Sequence, residues 1–266
     1  MSKIGIIGCG WLGISLGKAL IKNDFKIVGT KTTEKGIIKL NNYNIEGILF
    51  RINGEKIIGE TDFMKSIDQL IVSFPPNIKK YSKSIETLIQ LLNKNKDIKK
   101  ILFLSSTSVY GNQKSEIFED SQIYPESKSA KLLARAEKKF LHLNCSVCII
   151  RLGGLIGHNR HPVFSLINKK INNPEGYINF IHKLDAIKLI IHIVKNSELT
   201  GLFNCVSPYH PNRKKYYIKI SKKLYLNKPA FNDKVKNLRK INSKKIKIKK
   251  LFNYPVDNLL IDFNKN

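Results

Sequence analysis

Short apolar runs alternate along the chain with longer segments in which apolar residues recur at helical spacing. A run of roughly four to eight apolar residues bounded by glycine, proline or polar residues is typical of a buried strand. Apolar residues three and four positions apart over several turns predict an amphipathic helix. The pattern predicts strands at 4–7, 25–30, 69–73, 101–104, 147–152 and 202–205, and helices at 12–22, 81–92, 127–143 and 185–195.

Strands and helices that alternate in this way predict an α/β fold, a doubly wound parallel sheet of the Rossmann type with a small C-terminal lobe. We place the Rossmann core at 1–157 and its last helix and strand at 181–206. A substrate-side insertion is expected at 158–180. The C-terminal lobe is expected at 207–266, where the pattern gives way to sequence rich in lysine and asparagine. This lobe and the stretch 158–176 are expected to lie over the carboxyl edge of the sheet.

The most specific motif is Gly8-Cys9-Gly10-Trp11-Leu12-Gly13, which directly follows a predicted strand and opens a predicted helix. In this setting the first glycine permits a tight turn, the second lets the backbone approach a pyrophosphate, and the third lets helix and strand pack closely. The helix N-terminus adds amide donors and a positive end. An ordinary glycine-rich turn is the alternative, but the flanking strand and helix favour a dinucleotide site. The predicted cofactor contacts are Gly8, Gly10, Trp11, Leu12 and Gly13.

The end of the second predicted strand indicates which dinucleotide is bound. An NAD site usually has an acidic residue there, which binds the ribose hydroxyls. Here the strand ends in Thr30, Lys31 and Thr32. A lysine between two hydroxyls suits the 2′-phosphate of NADP, so we expect NADP to be favoured over NAD. The alternative is that Lys31 is simply one of many lysines, since only six of the 47 basic residues are arginine.

The formal charge of +27 raises nucleic-acid binding as a further hypothesis. Lysine, asparagine and isoleucine have A/T-rich codons and are abundant from end to end, which indicates a biased genome rather than a selected surface. The lysines also form no stripe with interleaved aromatic residues. We therefore expect a small-molecule partner and rank nucleic acid last.

The N-terminal segment from Lys3 to Ile21 looks somewhat like a signal peptide. Five glycines and Lys18 interrupt it, and the chain has no run of about eighteen apolar residues. We therefore expect a cytoplasmic protein with no membrane partner.

Cys145 and Cys148 have the C-x-x-C spacing of some metal and redox sites. No second pair accompanies them, and residues three apart on a strand face opposite ways. We therefore predict free thiols and no metal site.

A polar loop, Ser105-Ser-Thr-Ser-Val-Tyr-Gly111, follows another predicted strand, at the edge where such sheets bind ligands. With this loop, the glycine motif and four further segments, the chain resembles the extended short-chain dehydrogenase/reductases, the superfamily of sugar-nucleotide epimerases and dehydratases. Within it, the chain is most similar to the YeeZ-like group of atypical members. The further segments are Ser73-Phe-Pro-Pro76, Arg151-Leu-Gly-Gly-Leu-Ile-Gly157, Asn159-Arg-His-Pro162 and Ile181-His-Lys-Leu-Asp185.

The resemblance implies an NAD(P)-dependent oxidoreductase or epimerase-like enzyme that acts on a small substrate. It implies that Ser73 and Ser105 contact the cofactor and that the Ser106 hydroxyl orients the substrate. It also implies that Thr107 and His182 contact the substrate. The oligomeric state, monomer or homodimer, is left open.

The chain departs from the superfamily at its catalytic pair. Typical members carry Tyr-x-x-x-Lys on the helix after the serine loop, within a Pro-x-Ser-x-Tyr frame and with an acidic residue eight positions beyond the tyrosine. Here the frame starts at Pro125 and the acidic residue is Glu137, so Ser129 occupies the tyrosine position and Leu133 the lysine position. A serine beside a leucine cannot replace an activated phenolate as a base near neutral pH.

Tyr124 and Lys128 form a rival Tyr-x-x-x-Lys pair, which keeps Tyr124 as an alternative catalytic residue. Tyr124 directly precedes Pro125, however, and this biases it away from helical geometry. It also lies about one turn too early in the frame.

Arg160 and His161 follow a predicted strand and face the presumed substrate side. Arg160 could bind a phosphate or carboxylate, and His161 could act as an acid or base near neutral pH. A solvated loop is the alternative. On the functional interpretation, both residues contact substrate, and His161 joins Ser106 as a catalytic residue. The competing hypotheses are therefore an enzyme with a non-standard acid and a catalytically silent NAD(P)-binding sensor or scaffold.

Overall fold

A computed structural model describes residues 2–113, 116–157, 160–232 and 238–245. The strands in these ranges are β1 (Lys3–Ile7), β2 (Lys26–Lys31), β3 (Glu46–Asn53), β4 (Lys56–Gly59), β5 (Gln69–Val72), β6 (Lys100–Ser106), β7 (Glu116–Ile117), β8 (Ser146–Leu152), β9 (Gly154–Ile156), β10 (Ile171–Asn172), β11 (Phe180–His182), β12 (Gly201–Cys205), β13 (Phe231–Asn232) and β14 (Lys240–Ile241). The helices are α1 (Trp11–Ile21), α2 (Glu34–Asn41), α3 (Tyr81–Lys94), α4 (Lys128–Leu141), α5 (Pro162–Ser165), α6 (Lys183–Lys195) and α7 (Arg213–Lys223), with 3₁₀ turns at Asp62–Ser66 and Thr107–Tyr110.

An eight-stranded sheet has the order β12-β8-β6-β5-β1-β2-β3-β4. Strand β1 pairs in parallel with β2 on one side and with β5 on the other, and the parallel pairing continues to β3 and β6. Strand β4 returns antiparallel to β3 as a short edge. The chain order reverses between β1 and β5, and ligands of doubly wound sheets bind at the carboxyl ends of the strands at such a switch point.

The central strands are buried because the sheet is covered on both faces. Ile4, Ile6 and Leu102 have no exposed surface, which explains why these strands read as continuous apolar runs. The ring of Phe103 in β6 stacks on that of Phe140 in α4 at 4.5 Å between centroids. These contacts fix the positions of the strand ends from which a ligand site is built.

The chain divides into two compact units, each assembled from three segments. The first unit comprises Met1–Ser106, Ser127–Arg151 and Ile190–Leu202.

The second unit comprises Thr107–Glu126, Leu152–Leu189 and the chain from Phe203 onward. It has short parallel ladders, β9 with β11, β10 with β13 and β7 with β14. Its apolar cluster consists of Ile156, Val163, Ile171, Ile178, Tyr216, Tyr217 and Ile220.

The predicted doubly wound parallel sheet is confirmed, and every predicted strand and helix is present with ends shifted by one or two residues. The pattern did not predict α2, β3, β4 or α7. Strand β3 lacks a clear alternation because most of its positions are only half-buried. No helix in the described ranges is long and apolar enough to cross a bilayer.

Candidate functional site

The turn after β1 is held by hydrogen bonds to two neighbouring strand ends. Gly8 has φ +81°, and a Cβ atom there would lie 2.6 Å from the Ser73 carbonyl oxygen. The Gly8 amide donates to Thr30 Oγ1 at 3.2 Å, and the Ser73 amide donates to the Ile7 carbonyl at 2.8 Å. Only glycine fits this left-handed position against the backbone of the next strand.

Gly10 presents open backbone at the start of α1. The nearest atom to a Cβ built on Gly10 is the Gly8 carbonyl oxygen at 3.9 Å, so the space beside it is empty of protein. Gly10 caps α1 without any side-chain hydrogen bond. Gly13, one turn later, faces Gly8, and its Cβ would lie 3.3 Å from the Gly8 carbonyl oxygen. Leu12 is buried, so its predicted cofactor contact would come from its amide.

A cavity of about 330 Å³ lies beside this turn, at the ends of β2 and β3. Thr32 at its rim is exposed, whereas Thr30 is only 3% exposed and its hydroxyl already accepts the Gly8 amide. Thr30 therefore shapes the turn. None of the residues that line the cavity is acidic: they are Ile7, Gly8, Thr30, Thr32, Phe50, Arg51, Ile52, Asn53, Phe74, Ile78 and Lys79.

Arg51 and the other β3 residues in this cavity were not predicted, because β3 itself was not predicted. Their relation to Thr30 depends on the pairing of β2 with β3, which places Thr30 opposite Ile48. The detectable signal was the short apolar segment around Phe50, bounded by polar residues and followed by Gly54.

Ser105, a predicted cofactor contact, has its side chain in a buried ion-pair cluster. Its hydroxyl donates to Glu137 Oε1 at 2.5 Å. Arg151 binds the same carboxylate, with Nη2 at 2.7 Å from Oε2, and the side chains of both ion partners are about 95% buried. Any cofactor contact of Ser105 would have to come from its backbone.

The serine loop continues with a half-buried residue and a buried one. Ser106 ends β6, and Thr107, which is 5% exposed, begins a 3₁₀ turn. Tyr110 closes that turn, and its hydroxyl donates to Asn204 Oδ1 at 2.8 Å. Tyr110 is therefore a structural residue of the second unit.

The start of α4 separates the two candidate tyrosine positions. Ser127 caps this helix by accepting the Ala130 amide at 3.1 Å. Ser129 is exposed in the first turn, and Leu133 one turn later is buried. Tyr124 lies before the helix, is exposed, and donates its hydroxyl proton to Gln122 Oε1 at 2.7 Å. Tyr124 and Lys128 therefore do not form a pair on one helical face.

His161, the predicted acid, is a buried helix cap. Its Nδ1 accepts the Val163 amide at 3.0 Å, so the neutral ring carries its proton on Nε2, 2.7 Å from the Tyr216 hydroxyl oxygen. Burial lowers the pKa of His161 to about 4. The ring is therefore neutral at pH 7, with both nitrogens engaged inside the aromatic cluster of the second unit.

Arg160 and His182, two predicted substrate contacts, lie in the second unit. Arg160 is exposed, and its backbone exchanges hydrogen bonds with Gly157 at 2.9 and 3.0 Å. His182 ends β11, its Nδ1 accepts the Leu184 amide at 3.3 Å, and burial lowers its pKa. Helix α6 begins before Asp185, so His182 rather than Asp185 receives an amide of its first turn. Asn159 of the matching segment lies outside the described residues.

The structure thus brings several of the predicted cofactor residues of the first unit together around one turn and one cavity, whereas Lys31 and Ser105 do not line that cavity. Gly8, Thr30 and Ser73 meet directly, and Thr32 lines the adjoining cavity. In the second unit the side chain of His161 is buried in the core.

Comparison with known proteins relates the chain to one group. No family profile matches it. Protein YeeZ of Escherichia coli strain K12 is 29% identical over 241 residues, which cover 88% of each chain. A functionally unknown conserved protein from Silicibacter pomeroyi has a TM-score of 0.77 at 17% identity, covering 96% of this chain and 95% of that one.

Two solved enzymes share the fold of this chain. The dTDP-glucose 4,6-dehydratase of Bacillus anthracis, in complex with NAD, has a TM-score of 0.74 at 16% identity, covering 96% of this chain and 91% of that one. The UDP-glucuronic acid 4-epimerase of Bacillus cereus, also with NAD, has a TM-score of 0.70 at 18% identity, covering 95% and 91%. The predicted resemblance is therefore confirmed at this level: the chain is similar to Protein YeeZ over most of its length and shares the fold of an epimerase and a dehydratase solved with NAD.

Proposed function

We propose that this chain binds a nicotinamide adenine dinucleotide through its first unit and prefers NADP to NAD. The observation that carries the proposal is the open backbone at Gly10, which begins α1 without a side-chain cap and lies beside the turn at Gly8. A helix N-terminus of this kind supplies amide donors to a pyrophosphate. The NAD complexes of the dehydratase and the epimerase with the same fold support this assignment.

The preference for NADP is supported by charge. A site for NAD uses a carboxylate to bind the ribose diol, and no residue lining the cavity is acidic. Arg51 and Lys79 are cations on its wall. An added phosphate would meet complementary charge there.

The chemistry proposed is that of an oxidoreductase or an epimerase-like enzyme that acts on a small substrate. Ser106 is the candidate for orienting a substrate oxygen, and Arg160, an exposed cation, for holding an anionic group. Thr107 and His182 are the other candidate substrate contacts. A carbonyl reduction also needs a proton donor within about 3 Å of the reacting oxygen, and the buried ring of His161 does not supply one at neutral pH.

A second candidate function, a dinucleotide-binding sensor or scaffold without catalysis, is favoured by a specific observation. The tyrosine position holds Ser129, the lysine position holds the buried Leu133, and His161 is engaged as a helix cap. On this hypothesis the cofactor binds but no substrate is turned over.

Trp11, the only tryptophan in the sequence, lies at the first position of α1 and provides the assay. Titration with NADPH and with NADH should change its fluorescence, with the tighter binding for NADPH. Equal affinities or tighter NADH binding would contradict the preference, and no binding of either would contradict the proposed function.

A screen of NADPH-dependent carbonyl reductions then separates the two functions. Turnover of any carbonyl compound supports the enzyme, and Ser129→Ala and Tyr124→Phe should then leave its rate nearly unchanged. A loss of activity in Tyr124→Phe would restore the standard mechanism. Tight NADPH binding without turnover of any compound supports the sensor or scaffold.

A further inference from the structure

The cavity beside the glycine turn has the position expected for the adenosine half of a dinucleotide. The pyrophosphate of such a ligand lies on the turn, and the ribose lies at the end of the second strand. The cavity joins these two places, because Gly8 and Thr32 both line it. Its volume of about 330 Å³ is at the lower end of the range of small-molecule pockets.

Arg51 enters this cavity from β3. Lys31 of β2 is paired with Leu49, so Arg51 lies two residues, or about 7 Å, further toward the carboxyl edge on the same face of the sheet. The nearest acidic residues along the chain are already paired. Glu46 binds Lys3 Nζ at 2.8 Å and Glu55 binds Lys83 Nζ at 2.9 Å.

Arg51 is exposed, and it makes no ion pair with any residue that the structure describes. Its guanidinium group therefore keeps its full charge toward a ligand. A planar guanidinium can bind two phosphate oxygens at once, which an ammonium group cannot do.

The side chain of Lys31 extends in a different direction from that of Arg51. A Cβ atom built on Gly36 of α2 would lie 3.0 Å from Lys31 Cγ and 3.1 Å from its Cδ, so the lysine stem lies along the first turn of α2. Lys31 is not among the residues that line the cavity, although Thr30 and Thr32 on either side of it are.

We propose that Arg51, rather than Lys31, recognises the 2′-phosphate of NADP, with the Thr32 hydroxyl as a second donor. This assignment rests on the proposed dinucleotide binding and names the residue that sets its specificity. Arg51 binds the phosphate from the β3 side of the cavity, and Lys31 adds only long-range attraction.

The test measures affinity and needs neither a substrate nor turnover. Wild-type protein, Arg51→Gln and Arg51→Lys are titrated by calorimetry with NADPH and NADH. The same titrations are made with adenosine 2′,5′-bisphosphate and 5′-AMP, which isolate the adenosine half. Loss of a hydrogen-bonded charge contact corresponds to about a ten- to hundredfold loss of affinity. Arg51→Gln should lose this much for NADPH and the bisphosphate and change less than about twofold for NADH and 5′-AMP.

Arg51→Lys keeps the charge but loses the fork of donors, so it should fall between wild type and Arg51→Gln. Arg135→Gln, an exposed arginine of the same unit outside this cavity, is the matched control and should behave as wild type. Thermal melting checks that each variant is folded.

Two results overturn the assignment while leaving dinucleotide binding intact. One is an unchanged ratio of NADPH to NADH affinity in Arg51→Gln, and the other is loss of the preference in Lys31→Gln but not in Arg51→Gln. A wild-type protein that binds neither dinucleotide refutes the proposed function, and this assignment falls with it.

Discussion

Replacement of His161 by asparagine separates a structural histidine from a catalytic one. Asparagine is a favoured N-cap residue, so it can still accept the Val163 amide that His161 Nδ1 now accepts at 3.0 Å. The substitution removes the imidazole and its hydrogen bond with the Tyr216 hydroxyl. Any remaining difference from wild type then reports on the buried ring.

The size of the expected effect on the free energy of unfolding follows from the protonation of the His161 ring. Burial lowers the pKa of His161 from 6.5 to about 4. The unfolded chain takes up a proton near pH 6.5 that the folded protein does not accept until about pH 4, so acid favours unfolding. The contribution of His161 to stability is fully present above about pH 6.5 and is lost as the pH falls toward 4. The difference between the two pKa values corresponds to about 3 kcal/mol.

Urea unfolding of wild type and His161→Asn between pH 7.5 and pH 4.5 measures this contribution. At pH 7.5 the variant should be the less stable of the two, because it loses buried contacts and a hydrogen bond. As the pH falls to 4.5, the difference in unfolding free energy should shrink by about 2 to 3 kcal/mol. Tyr216→Phe is the matched control: it keeps the buried imidazole, so it should retain the pH dependence of wild type while losing about 1 to 3 kcal/mol.

A difference between wild type and His161→Asn that stays constant with pH would refute the buried, neutral ring. Loss of turnover in His161→Asn, with stability unchanged across the pH range, would instead restore His161 as the general acid. General acid catalysis contributes roughly a hundred- to ten-thousandfold, so the two roles differ clearly in the measurement.

Three further substitutions test the first unit. Glu137→Leu should lower the free energy of unfolding by about 3 to 5 kcal/mol in urea titration, because it leaves a buried arginine unpaired. The control Lys139→Gln removes an exposed ion pair on the same helix and should lower the free energy of unfolding by less than about 1 kcal/mol. Equal effects of the two substitutions would contradict the burial argument. Gly10→Val should melt as wild type does but fail to bind NADPH, since its side chain would fill space that is free of protein; normal binding by the folded variant would give the turn another role. Leu133→Lys should lower the free energy of unfolding by more than about 3 kcal/mol, because it buries an ammonium group. Ser129→Tyr, at an exposed position, should leave the free energy of unfolding nearly unchanged in the same assay.

The parts of the fold that follow from local sequence were predicted well. The turn at Gly8 depends on residues within one strand, one turn and one helix, and their order alone indicates how the backbone must run. The buried strands of the sheet were equally clear, because strands covered on both faces read as uninterrupted apolar runs.

Roles that depend on residues distant in sequence were not predictable in this way. His161 looked like an accessible loop histidine, because the partner that holds its ring, Tyr216, comes 55 positions later in a segment without a clear pattern. Arg51 was missed because its place beside Thr32 requires the register of β2 with β3. Lys31 was chosen from its position at the end of a strand, and the structure places its stem beside Gly36 of the next helix.

The acidic residue that places Ser129 at the tyrosine position has a structural role of its own. Glu137, which fixes the register, holds Arg151 and the Ser105 hydroxyl in a buried cluster. That cluster joins α4 to β6 and β8 whether or not a catalytic pair is present. The lysine position differs, because Leu133 is only 5% exposed. Placing a lysine at position 133 would therefore bury a charged group, so the difference from a Tyr-x-x-x-Lys pair involves the packing of α4 as well as the identity of two side chains.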